Sequence, residues 1–337
     1  MRYISLIICV GFLILSKYIP KYKKIFIVLS AGTLLAFWGI RGNIFNGIYS
    51  GVDYNSYKNW FNIIEQLPLS LIINDIGFNV LMLIIKKVTN CFELFIFLST
   101  AFFIYSIYKY AIDHNKEYLL TIYLFISFGI FELGLTAIRQ WMAGSVFLLS
   151  IKYIRDQKLW KYLICILIAS LFHNSAIILI ILYPFVNIKK DKHILKIIIC
   201  GIVGIIATIL IKQGILIDFI YKIAPLYAQK HQNLGSELNA NYTVFIISTA
   251  ILSFIMINRN TYNYIKEKYN YQLSYLILLC LFAFLATQNF MINRMLQYFM
   301  PAIPLVVPNV LDTIENKKIK NLMIVCTICF FLAIYIL

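Results

Sequence analysis

The chain has 337 residues, 61% apolar and only 13% charged, with a mean hydropathy of +0.82 and a formal charge of +16. Soluble domains run at about 45–50% apolar and about 25% charged, which excludes a water-soluble enzyme, a disordered chain and a secreted disulfide scaffold. The basic residues fall in short clusters between apolar runs, the pattern of cytoplasmic loops in membrane proteins, so no nucleic-acid partner is expected.

At about 20 residues per crossing, about twelve spans take up about 240 residues and leave no room for a separate soluble domain. The sequence therefore predicts an all-α, polytopic integral membrane protein with about twelve transmembrane helices, forming a single domain over residues 1–337. Apolar runs suited to spanning lie at 3–19, 25–40, 91–109, 117–131, 136–154, 193–212, 242–258, 271–288, 295–311 and 320–337. The first is read as a retained helix, since no small-residue cleavage site follows it. Two further segments are interrupted: 69–85 by Asn74, Asp75 and Asn79, and 159–187 by His173 and Asn174 at its centre. As one helix the second would reach about 43 Å at 1.5 Å per residue, against a hydrocarbon core of about 30 Å. Two short helices joined at Phe172-His173-Asn174-Ser175 fit it better.

Basic residues choose between topologies. With 69–85 kept outside and 159–187 folded as a hairpin, 20 Lys and Arg fall on the inner side and 10 on the outer. If 69–85 crosses and 159–187 spans once, the split drops to 17 against 13. The positive-inside rule selects the first arrangement, with both termini outside and outer segments near 41–90 and 213–241. The seven cysteines form no metal-ligand spacing with histidines, and Cys326-x-x-Cys329 in the last helix is read as packing. No metal or cofactor is expected.

The outer face carries the polar chemistry. Lysine dominates the inner loops, whereas Arg41, Arg139 and Arg294 each sit at the outer end of a helix. A planar, permanently charged guanidinium binds phosphate oxygens bidentately, so the set suits a phosphorylated lipid head group. The alternative is that each arginine snorkels to the interface or pairs with a carboxylate. Between Trp38 and Phe61 the chain holds glycines 39, 42, 47 and 51, followed by Asp53 with Tyr54 and Tyr57. An acid beside aromatic rings can hold a sugar; equally, the segment can be a turn and an interfacial helix with Trp60 in an aromatic belt. Asp75 is either a second acid on this side or a cap for the helix that follows. His173, within an apolar run, is suited to proton transfer, or is a core residue bonded to Asn174 or a carbonyl. The segment 213–241 starts amphipathic and ends polar. It is long enough for an acceptor-binding loop, with Glu237 as its acid, or it is a connector.

Taken in order, Gly51-Val52-Asp53-Tyr54-x-x-Tyr57, Asp75-Ile76-Gly77-Phe78, Thr136-Ala137-Ile138-Arg139-Gln140, Phe172-His173-Asn174-Ser175-Ala176 and Arg294-Met295-Leu296-Gln297-Tyr298-Phe299 resemble the EpsG branch of the Wzy-type polysaccharide polymerases, over nearly the whole chain. One departure is mild: the family often carries glutamate where this chain has Asp75. The resemblance implies a metal-independent glycosyltransferase of GT-C-like architecture, with short broken or re-entrant helices. It would join undecaprenyl-diphosphate-linked oligosaccharide repeat units, as both donor and acceptor, on the outer face of the bacterial cytoplasmic membrane. The product would be O-antigen, capsule or exopolysaccharide, and a chain-length regulator would be a partner. Arg41, Arg139 and Arg294 would clamp the diphosphate and stabilise its developing charge, which makes Arg139 catalytic as well. His173, or else Asp53, would take the proton of the acceptor hydroxyl, and Tyr54, Tyr57 and Glu237 would hold glycan. A flippase of lipid-linked oligosaccharide and an O-antigen ligase are the alternatives. The first would need basic residues along a cavity reaching both faces, and the second differs only in its acceptor. An acyltransferase fits least.

Overall fold

The computed structural model describes residues 2–40, 53–187, 192–215 and 242–336, and all regular structure among them is helical. They fall into two compact units: Met1–Ile177 with Leu322–Leu337, and Ile178–Asn321.

In the first unit, α1 (Arg2–Tyr18) and α2 (Lys23–Trp38) meet at 119° across the short 3-10 turn Pro20–Tyr22. Helix α3 (Tyr54–Ile63) is amphipathic: Tyr54, Tyr57 and Phe61 are buried on one face while Asn55, Ser56, Lys58 and Asn59 are exposed. A 3-10 turn (Ile64–Gln66), the four-residue α4 (Leu69–Ile72) and α5 (Ile76–Thr89) follow. Helix α6 (Phe92–His114) is the longest of this unit. Helices α7 (Tyr118–Ser127) and α8 (Ile130–Thr136) are bent by 55° at Gly129, whose φ of 79° suits glycine. Helices α9 (Ile138–Arg155) and α10 (Leu159–Phe172) pack together as a hairpin across Asp156–Lys158. The unit is completed by the greater part of α17 (Lys317–Ile336): Tyr335 meets Tyr3 at 6.0 Å, and the Tyr123 hydroxyl donates to the Ile328 carbonyl at 2.8 Å.

The second unit contains α11 (Leu182–Asn187), α12 (His193–Lys212), α13 (Tyr242–Ile257), α14 (Arg259–Ala286), α15 (Phe290–Phe299) and α16 (Ala302–Leu311). Two of its buried polar side chains, Lys196 and Asn309, are paired inside the apolar packing. Lys196 donates to Ser274 Oγ at 2.8 Å and to the Val186 carbonyl at 3.1 Å, and Asn309 donates to Gln272 at 2.8 Å.

Among the described residues, α6, α12, α14 and α17 are each long and apolar enough to cross a membrane, and counting each bent pair as one span raises the number to six. This is an all-helical membrane protein, and the expected figure of about twelve crossings is not reached by that measure because apolar runs are cut into shorter helices. The run 295–311 was expected to be continuous, yet α15 ends at Phe299 and α16 begins at Ala302, with Pro301 between them lacking the N–H that would continue a helix. The interruption at 69–85 falls at Ile73-Asn74-Asp75, leaving α5 about 21 Å long, short of a core of about 30 Å. In 159–187 the break is where the sequence puts it: α10 stops at Phe172 and His173 is extended, with φ −156° and ψ 117°. Cys326 and Cys329 were read as packing residues, but both are exposed on α17, and all seven cysteines are free thiols.

Candidate active site

The site grows out of the break between α4 and α5. Asp75 stands there in the left-handed conformation, φ 55° and ψ 48°, which costs a non-glycine residue about 1–2 kcal/mol. An aspartate at a helix N-cap ordinarily turns its carboxylate back onto the first turn. Asp75 occupies that position before α5 but makes no capping bond with its side chain. Capping alone therefore does not account for it: the carboxylate faces two other elements instead.

One carboxylate oxygen, Oδ2, lies 3.1 Å from Arg139 Nη1 and 3.3 Å from His173 Nδ1. The other, Oδ1, accepts the Asn174 backbone N–H at 3.0 Å. Glycine at position 77 makes this approach possible. A Cβ there would sit 3.0 Å from Leu171 Cβ and 3.1 Å from the Leu171 carbonyl carbon and oxygen, so any larger residue would require α5 and the end of α10 to give by a few tenths of an ångström. The extended His173 ends α10 at that point and turns its ring and the next N–H toward the carboxylate.

Arg139 enters from the first turn of α9, where the helix dipole disfavours a cation and the Asp75 carboxylate offsets it. Its guanidinium lies 5.8 Å from the Tyr57 ring centroid and 5.9 Å from that of Phe78, an aromatic floor for a cation. Its charge also acts on the Tyr57 hydroxyl. Arg139 Nε is buried without a hydrogen-bond partner among the described residues, while 36% of the side chain remains exposed, against 14% for His173 and 8% for Asp75. Arg139 thus combines a partly exposed side chain with a buried Nε donor.

Burial by itself would raise the Asp75 carboxyl. The hydrogen bond and charge of His173, the charge of Arg139 and the Asn174 N–H together outweigh it and hold the group below the usual carboxylate range. An ionised carboxylate can only accept. His173 Nδ1 must then carry the hydrogen in their shared bond in either state of the ring: the charged imidazolium strengthens the pair, and once Nε2 has given up its proton its lone pair faces away from Asp75. The arrangement is a histidine oriented by a carboxylate, beside an arginine anchored by the same oxygen. It can accept a proton and bind an anion within one small space.

Of the residues singled out from sequence, the structure brings together Arg139, His173 and Tyr57. Asp53, half-buried at the start of α3, accepts the Tyr57 N–H at 3.0 Å through its carbonyl, and its charge acts on Tyr57 and Arg139. Tyr54 and Tyr57 were expected to hold glycan, but they are only 5% and 8% exposed. Tyr54 packs against Phe92 at 5.2 Å and Tyr57 against Phe78 at 5.6 Å, so neither ring offers an open face to a sugar. Arg294 is half-buried on α15, in the second unit. Arg41 and Glu237 lie outside the described residues. Asp75, the hub of the cluster, was undervalued. The available signal was an acid in an apolar stretch, which demands a partner, followed two residues later by a glycine.

The protein is thus a helical membrane protein in which an accessible arginine and an oriented histidine share one buried carboxylate. The family can be stated more closely: the chain belongs to the EpsG family, whose sequence model matches residues 24–337. No curated protein and no solved structure matches the chain. Membership of the EpsG family points to a role in polysaccharide polymerisation.

Proposed function

We propose that the protein polymerises undecaprenyl-diphosphate-linked oligosaccharide repeat units by metal-independent glycosyl transfer on the outer face of the bacterial cytoplasmic membrane. The observation that carries this reading is the single Asp75 oxygen that joins Arg139 to His173. A sugar diphosphate already carries its leaving group, so the site must stabilise negative charge as the sugar–oxygen bond breaks. Arg139 is fitted for this by its permanent charge and the exposed part of its side chain, and Arg294 and Arg41 are assigned to the same diphosphate on their chemistry alone. The acceptor hydroxyl attacks the anomeric carbon, its proton passes to His173 Nε2, and the lipid diphosphate departs with the bonding electrons. Asp75 keeps the imidazole in the tautomer and orientation that this transfer needs. Asp53 tunes the charge around Arg139, and Glu237 belongs to the acceptor side.

The distribution of charge along α9 and α10 supports the outward orientation. Arg139 and His173 lie at one end of this hairpin, and Lys152, Arg155, Lys158 and Lys161 at the other, about 27 Å away along α9. The positive-inside rule assigns the basic end to the cytoplasm, which leaves the cluster outside. About twelve crossings and a chain-length-regulating partner accord with this role.

The test is a proteoliposome assay in which purified protein receives a lipid-diphosphate-linked repeat unit, with and without chelator. A ladder of lengthened glycans that persists in chelator is expected, and Arg139→Ala should abolish it. A wild-type protein that never lengthens the glycan would overturn the function, and a ladder lost only with chelator would overturn metal independence.

A further inference from the structure

The left-handed turn that aims Asp75 is held from behind by a residue that takes no part in the chemistry above. Asn79, on the first full turn of α5, is 1% exposed. Its Oδ1 accepts from Trp60 Nε1 at 2.9 Å. Its Nδ2 is directed at three carbonyls, those of Asn74 at 2.7 Å, Ile72 at 3.1 Å and Leu71 at 3.4 Å. The assignment of oxygen and nitrogen follows from chemistry, since an indole N–H can only donate and a carbonyl can only accept. The carbonyls at the end of the four-residue α4 would otherwise lack partners in a half-buried turn. Asn79 collects them and pins the residue directly before Asp75, while the Asn79 backbone N–H bonds the Asp75 carbonyl at 3.1 Å. Asp75 is thus bracketed on both sides by one side chain and its own helix.

We infer that Asn79, braced by Trp60, is a positioning residue that fixes Asp75 so that one carboxylate oxygen meets both Arg139 and His173. This role rests on the proposed glycosyl transfer and names the support on which that site depends. Asn79 does not approach Arg139 or His173 through any hydrogen bond; its whole effect passes through the backbone of residues 74 and 75. Trp60 is the outer brace: it comes from α3, the helix that also carries Tyr57 beneath Arg139, so α3 sets both the floor of the site and the turn beside it.

The experiment is a double-mutant cycle in the proteoliposome assay, with protein abundance and thermal stability read alongside. Asn79→Ala should lower kcat about tenfold or more at little changed KM for the lipid-linked donor, since misplacing an orienting group by about 1 Å can cost up to about a hundredfold. In an Asp75→Asn background the same substitution should cost no further activity, because its effect is routed through the carboxylate. Asn79→Asp keeps the size but turns an acceptor toward the three carbonyls, and should match Asn79→Ala rather than rescue it. If Asn79→Ala does not accumulate in membranes, Trp60→Phe removes only the indole donor and is put through the same cycle. An active wild type with unchanged kcat in the Asn79 or Trp60 variants would overturn this role while leaving the function standing. Equal, additive losses in both backgrounds would also overturn it, marking Asn79 as purely structural. A wild type without polymerising activity would overturn the function itself and this role with it.

Discussion

Asp75→Asn preserves the side chain's size and removes its charge, and the structure makes its consequences calculable. The native carboxylate receives three donors: Arg139 and His173 on Oδ2 and the Asn174 N–H on Oδ1. An amide has one oxygen and brings an NH2 group of its own, so at least one donor must then face another donor. If the oxygen stays on the Asn174 N–H, the His173 bond is lost at about 1.5–3 kcal/mol, the value of a bond to a charged group. The Arg139 pair adds about 0–1 kcal/mol at most, because that side chain is 36% exposed and water recovers most of it. The net is about 1.5–4 kcal/mol of local stability, small enough for the protein to remain in the membrane. Activity should suffer more. With Nδ1 no longer committed to donating, Nε2 loses its fixed role as acceptor, and removal of an oriented general base costs about 10²–10⁴-fold. Single-turnover glycan lengthening in proteoliposomes, normalised to folded protein, measures this directly. Wild-type rates from Asp75→Asn would refute the assignment of Asp75 as the group that orients His173.

Arg139→Ala and Arg294→Ala should each leave the protein in the membrane but without polymer, by immunoblot and glycan gel, and long glycan from either would remove that residue from the clamp. Arg139→Lys should recover little, because an ammonium lacks the planar, multi-donor fork that can hold Asp75 and a diphosphate together beside Tyr57 and Phe78. Gly77→Ala should separate α5 from the end of α10, since the added Cβ meets Leu171 at 3.0–3.1 Å. A loss of activity exceeding the drop in thermal stability is expected, and full activity would show that the two helices can part without disturbing the cluster. The pH dependence follows from the depressed Asp75 carboxyl. Its folded value lies below its unfolded one, so its stabilising contribution is complete above the ordinary carboxylate range, about pH 4, and is lost as pH falls through the depressed value. Thermal unfolding in detergent should show an acid-side loss of stability that is reduced in Asp75→Asn, and identical profiles would contradict the linkage.

Much of this architecture is written in composition and in single residues. The apolar excess fixes a membrane protein, and His173-Asn174 in the middle of an apolar stretch marks the end of α10, because a polar pair there needs partners outside a regular helix. Pro301 was equally visible, yet the run 295–311 reads as one span because hydropathy weighs apolarity and ignores a missing N–H. Arg139 and His173 stand out as ionisable groups in apolar surroundings, but what unites them does not. Asp75 sits 64 residues before Arg139 and 98 before His173, and only tertiary contact joins them. Its left-handed backbone depends on Asn79 and Trp60, residues whose types give no hint of that task. The tyrosines failed as sugar platforms for a related reason: an amphipathic helix at an interface reads the same whether its aromatic face looks out or in, and here it looks in.

The most direct test of polymerisation uses a deletion strain of the source organism, complemented with wild type or Arg139→Ala, with its lipid-linked glycans resolved on a gel. The account predicts that the deletion accumulates carrier or acceptor bearing a single repeat, that wild type restores long chains, and that Arg139→Ala does not. Full repeat units trapped on the inner leaflet would contradict it and identify a flippase instead.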